Sequence, residues 1–127
     1  MTGSRIIAIG ALLGALAVAL GAFGAHGLRA RVTPELLEVY ETAVRYHFYH
    51  ALALVFAGLW AERIGATVVP PGVIPAAICF MIGIAVFSGS LYVLVLTGIR
   101  WLGAITPLGG LALIAGWLML VRAALSR

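Results

Sequence analysis

The chain has 127 residues, of which 64% are hydrophobic and 9% charged, whereas an ordinary water-soluble domain is about 45–50% apolar and about 25% charged. Eight arginines and four glutamates make up the whole charged complement, with no Lys, Asp, Asn or Gln, so a soluble globule is excluded: too few polar side chains exist to coat its surface. The net charge of +4 comes from arginines scattered singly between apolar runs, which speaks against nucleic acid as a partner, because that needs basic groups gathered on one face.

Between Arg5 and Arg29 no residue carries a formal charge, and a helix needs about 20 predominantly apolar residues to cross a hydrocarbon core about 30 Å thick. This predicts a first span over residues 5–25. Such a start also resembles a secretory signal peptide, with Ala22, Gly24 and Ala25 near a cleavage site, but the run is long for one and its small-residue pattern continues to the end. Gly10, Gly14, Ala17, Gly21 and Gly24 recur at spacings of 4, 3, 4 and 3, the seam of a close helix pair built on small side chains.

Residues 29–45 hold three of the four glutamates. Thr33, Pro34 and Glu35 form a helix start: a hydroxyl cap, a proline at the first position and an acid at the positive dipole end. Glu41 and Arg45 are spaced for an ion pair. At 100° per residue Glu38, Glu41, Thr42, Arg45 and Tyr49 share one side and Ala43, His47 and His50 the other. An amphipathic helix is expected to lead into a second span over 43–61.

Glu62 and Arg63 mark the exit, and Pro70, Pro71 and Pro75 argue against helix until about Ile74. A third span is predicted over 75–98 and, after a short turn at Arg100, a fourth over 101–121. Short connections make successive helices antiparallel neighbours, so the fold class is an all-α integral membrane protein, one domain of residues 1–127 forming an up-down bundle of four transmembrane helices. Pro107 inside the fourth span would free the carbonyl of Gly103. Arg5, Arg63, Arg122 and Arg127 then lie on the side of the termini, facing Arg29, Arg31, Arg45 and Arg100 on the distal side, a tie under the positive-inside rule. The free amino terminus and the three distal glutamates turn the reading towards cytoplasmic termini in a plasma (inner) membrane. Tyr46, Tyr49, Trp60 and Trp101 read as interfacial anchors, and Cys79, the single cysteine, as a packing residue.

Placed by depth at 1.5 Å per residue, the polar residues of the spans gather in the distal half. His26, Tyr46, His47 and His50 come near the interface, with Ser88, Ser90 and Thr106 below it. Polar groups in hydrocarbon are costly unless partnered and face the bundle interior or a wet cavity, so this half is the candidate site. Each member also has a plain structural role: His26 as a helix cap, the serines as interhelical hydrogen-bond donors, His47 and His50 as hydrogen-bonded interfacial histidines. No G-x-S-x-G elbow, Walker loop, GxGxxG or H-E-x-x-H motif occurs, so no catalytic residue and no cofactor is identified and an enzyme is not supported.

The segments GAFGAHGL (21–28), TAVRYHFYHALAL (42–54), FSGSLY (87–92) and ITPLGG (105–110), followed by Gly116 and Trp117, resemble the signature blocks of the YgdD/YwdK-like family of small four-span membrane proteins carrying a domain of unknown function. The resemblance implies a bacterial inner-membrane protein with no agreed activity. His26, Tyr46, His50, Ser88, Ser90, Thr106 and Pro107 match the blocks, whereas His47 departs from them.

Four readings follow. The first is a non-enzymatic binding or accessory protein whose distal pocket, lined by His26, Tyr46, His50, Ser88, Ser90 and Thr106, takes a lipid, a quinone or a partner segment, with Arg29, Arg31 and Arg45 attracting lipid head groups. A haem or metal protein ligated by His26 and His50 is the second. A small dimeric transporter is the third, weakened by the lack of a carboxylate within a span. In the fourth, the polar cluster only pins helix packing. The lipid bilayer is the expected partner, with a homo-oligomer or a larger membrane complex beside it.

Overall fold

The computed structural model describes residues 1–63 and 69–126. Residues 64–68 of the connection, the side chain of Arg63 and Arg127 of the charge tally lie outside the described residues. Every regular element among the described residues is helical. Helix α1 (Gly3–Phe23) is prolonged by a π turn (Gly24–Leu28), and α2 (Pro34–Arg63) is one unbroken helix. Helix α3 (Val73–Gly83) passes through a second π turn (Ile84–Ser88) into α4 (Gly89–Thr97), and a 3₁₀ turn (Arg100–Ala104) opens α5 (Thr106–Leu125).

Three runs, Gly3–Leu28, Val73–Thr97 and Arg100–Leu125, are long and apolar enough to cross a membrane. They cover the expected first, third and fourth spans. Helix α2 covers the expected second span and its lead-in as a single rod. It is not among the three, because Tyr46, His47, Tyr49 and His50 interrupt its apolar half.

The helix starts follow local chemistry. The Thr33 hydroxyl accepts a hydrogen bond from the Leu36 N–H at 3.3 Å, with Pro34 as the first helical residue. Gly72, at φ 113°, turns the chain into α3, so helix begins two residues before Pro75, whose ring sits harmlessly in the first turn. Pro107 likewise occupies the first turn of α5. It starts a helix and does not break one, because the 3₁₀ turn before it has already diverted the chain. The expected gap at the Gly103 carbonyl inside a continuous span is therefore corrected.

Helix α1 packs along α2, α2 packs on α3 and α4, and α5 packs on α3. The main core joins Ile6, Leu54, Ala77, Phe80, Ile84 and Leu113. The small-residue seam of α1 faces α2: a Cβ on Gly10 would come 2.9 Å from the Ala51 carbonyl, and one on Gly24 2.6 Å from the Tyr40 ring. The pairs Gly3 with Gly58 and Glu62, Gly10 with Ala51, Gly21 with Val44 and Gly24 with Tyr40 put the two helices antiparallel over the whole length of α1.

Candidate functional site

The side of α2 opposite its charges is the buried one. Ala43, His47 and His50 are buried, while Glu38, Glu41, Arg45 and Tyr49 are exposed. Towards the distal end, Tyr40 is 1% exposed and donates its hydroxyl to the Leu20 carbonyl of α1 at 2.8 Å. Its ring lies 5.3 Å from Tyr92 of α4, whose hydroxyl meets His47 Nδ1 at 3.0 Å. His47 Nε2 is buried with no hydrogen-bond partner among the described residues.

The second π turn sorts the two serines. It carries one residue more per hydrogen-bonded turn, closed by the Gly89 N–H on the Ile84 carbonyl. Residues two apart on a helix point about 200° apart. Ser88 accordingly reaches α2, donating to the Ala43 carbonyl at 2.8 Å. Ser90 turns to α5, where its hydroxyl lies 2.7 Å from that of Thr106, and it also donates to the Phe87 carbonyl at 3.0 Å.

His50 forms a second centre. Its Nε2 accepts from the indole N–H of Trp117 in α5 at 3.1 Å. An indole N–H can only donate, so the ring proton of the neutral imidazole sits on Nδ1, which donates to the Tyr46 carbonyl at 2.7 Å. The Phe80 ring packs 5.5 Å from His50 and 5.3 Å from Trp117, and Gly116 makes room for it.

These contacts divide the predicted set. Ser88, Ser90, Thr106 and His50 are buried and bonded to neighbouring helices, Tyr46 is 42% exposed with its ring against Phe87 at 4.7 Å, and His26 is exposed within the first π turn. None of the six lines a cavity described below. His26 does not cap α1 through its side chain either: the turn closes through the Arg29 N–H on the Gly24 carbonyl at 3.1 Å.

His26 and His50 are not brought together. Gly24 lies against Tyr40, and His50 stands ten residues further along α2, about 15 Å deeper. Both of its nitrogens are also engaged. The α1–α2 register holds His26 at the level of the first turns of α2, while His50 lies on the far side of Arg45, inside the apolar stretch. Among the described residues no group of three or more His, Cys, Asp or Glu could hold a metal.

Sequence reasoning missed Tyr40, Tyr92 and Trp117 as polar partners. An aromatic residue in an apolar run carries no mark of where its polar tip will point, although buried Tyr and Trp tips usually find a partner.

Two openings flank α2 on the distal, outward side. One, about 220 Å³, lies between the end of α1 and α2 and is lined by Gly21, Gly24, Ala25, Tyr40, Glu41 and Arg45. The other, about 350 Å³, is lined by Arg29, Val32, Pro34, Leu37, Glu38 and Glu41. The expected Glu41–Arg45 ion pair is not formed among the described residues; Arg45 donates to the Thr42 hydroxyl at 3.3 Å. A third opening, about 360 Å³, lies at the other end between Pro70, Pro71, Met119 and Arg122.

Residues 20–110 match the model of a family described as "Protein of unknown function (DUF423)". The chain is 48% identical to the UPF0382 membrane protein YwdK of Bacillus subtilis, over 93% of this chain and 94% of that protein. It is also 48% identical to a UPF0382 membrane protein of Staphylococcus haemolyticus over 91% and 90%, and 47% identical to one of Staphylococcus aureus over 91% and 90%. No solved structure matches.

Proposed function

The chain belongs to the DUF423 family of membrane proteins of unknown function, and from that premise we propose a non-enzymatic, four-span protein of the plasma membrane that binds an amphiphile from the bilayer at the openings beside the distal end of α2. One observation carries this reading. The buried hydroxyls and His50 are engaged in bonds between helices or along their own, which leaves them as packing groups, while Glu41 and Arg45, at an opening, pair with no opposite charge among the described residues. An unpaired charge beside an apolar groove at the membrane edge is a natural contact for a lipid.

Support for α2 as the fourth span comes from its neighbour. A helix lying antiparallel along the full length of a spanning helix occupies the same depth of bilayer. The glutamates stand towards the two ends of α2, Glu35, Glu38 and Glu41 at one and Glu62 at the other, so the transport reading gains no carboxylate at mid-depth.

The test uses the protein purified gently in detergent from its native membrane, with a photo-crosslinking amino acid at Ala25. A featureless visible spectrum, no stoichiometric metal and a lipid captured at position 25 are the expected results. A Soret band or a bound metal would overturn the reading, and so would no lipid capture at position 25.

A further inference from the structure

Resting on that reading of the two openings beside α2, we infer that their ligand is a phospholipid with a zwitterionic head carrying a primary ammonium, of the phosphatidylethanolamine class. Glu41 lines both openings, with Arg45 at one and Arg29 and Glu38 at the other. The strip therefore carries two cations and two anions, which disfavours a purely anionic head. It matches a head group that itself bears one charge of each sign.

The helix geometry sets the register. Arg45 is the last charged residue of α2 before Glu62, and the stretch between them is about 25 Å long, close to the hydrocarbon thickness. Glu41 and Arg45 thus stand at head-group level, one turn apart, Glu41 on the outer side. A guanidinium donates to phosphate oxygens in a fork, and a carboxylate accepts from an ammonium, both as charge-assisted hydrogen bonds. Level with them, Gly21, Gly24 and Ala25 leave a recess with little side chain between α1 and α2, in which the head group can sit. Choline offers its charge without an N–H, and glycerol offers only neutral hydroxyls on a head that stays net negative, so Glu41, which takes a charged N–H donor, is the group that separates ethanolamine from both.

Native mass spectrometry of the detergent-purified protein, titrated with phosphatidylethanolamine, phosphatidylcholine and phosphatidylglycerol of the same acyl chains, tests the assignment. One ethanolamine lipid should be retained about tenfold over the other two, the size of one charge-assisted hydrogen bond. Glu41→Gln should erase that preference, weakening the ethanolamine lipid most and easing the repulsion of the anionic glycerol lipid. Arg45→Gln should lower all three alike, because all carry phosphate. Both substitutions are on exposed positions, and an unchanged melting profile checks the fold. Retention without head-group preference, or a preference that survives Glu41→Gln, overturns the ethanolamine assignment while capture at Ala25 keeps the wider reading. Absence of any retained lipid, with no capture at Ala25, overturns both.

Discussion

Single side chains in this protein differ sharply in what their loss should cost. The Ala43 carbonyl lies inside α2, where it also accepts from the helix itself, so Ser88→Ala removes an extra bond without leaving a bare acceptor. Interhelical bonds of this kind in membranes are worth about 0.6 kcal/mol on average. Trp117→Phe is different, since it strips the indole donor from His50 Nε2 in a place where water is scarce. A buried acceptor left unmatched costs about 1–3 kcal/mol. Equilibrium unfolding in mixed micelles should therefore rank Trp117→Phe well below Ser88→Ala, and equal losses would refute the tautomer assigned to His50. At the aqueous end of α2, the Glu35 carboxyl is held below the usual carboxylate range by its own backbone N–H and by the Thr33 hydroxyl. A depressed acid stabilises the folded state above its unfolded value of about 4.3, and that contribution fades as pH falls through the lower folded value. Thr33→Val should move the Glu35 titration, followed by side-chain carbon NMR, back towards the ordinary carboxylate range and cost about 1 kcal/mol through the lost cap.

Between elements, glycines decide how closely helices approach. A Cβ on Gly109 of α5 would fall on the backbone nitrogen of Phe87 and 2.7 Å from its Cα, in the second π turn, where backbone cannot swing aside as a side chain would. Gly109→Ala should destabilise by about 1–3 kcal/mol and loosen the Ser90–Thr106 contact alongside. Gly89, two residues beyond Phe87, meets nothing within 4 Å, so Gly89→Ala should stabilise by up to about 1 kcal/mol through helix propensity. The two changes measured in one unfolding series would show opposite signs; the same sign would mean that the π turn is not rigid. The π turns themselves were not legible in the sequence. Apolar periodicity is too soft to register one extra residue, and Gly24 and Ser88 look like any small positions. The set of rods is legible in the sequence, because long apolar runs lie between the charges, and so is the buried side of α2, because 100° steps separate Glu38, Glu41 and Arg45 from Ala43, His47 and His50. Depth was the weak step. Span limits alone do not carry the α1–α2 register that separates His26 from His50, and the bonds to Trp117 and Tyr92 join helices far apart in the chain.

For the whole molecule, the number of crossings follows from how α2 is treated. Three helical runs are apolar enough to cross by themselves, and three crossings would put the two termini on opposite sides. Four crossings put them on the same side. The contacts from Gly3 against Glu62 to Gly24 against Tyr40 hold α2 beside α1 for about 30 Å, the thickness of the hydrocarbon core. A rod so held cannot lie on the surface while its neighbour spans. Its tyrosines and histidines lower its apolar character, yet His47 and His50 turn inward, with bonds to Tyr92 and Trp117, while Leu52, Phe56 and Leu59 are exposed on its outer face. Reporter fusions at the amino and carboxyl ends should accordingly give the same sidedness. With equal numbers of arginines at the two ends, the direction rests on the free amino terminus and on Glu35, Glu38 and Glu41 being distal, which favours cytoplasmic ends. Two active cytoplasmic reporters would support four crossings in that direction, and two external ones would keep the count but reverse the direction. One of each would mean that α2 does not cross, and with it the placement of Glu41 and Arg45 at head-group level would fall.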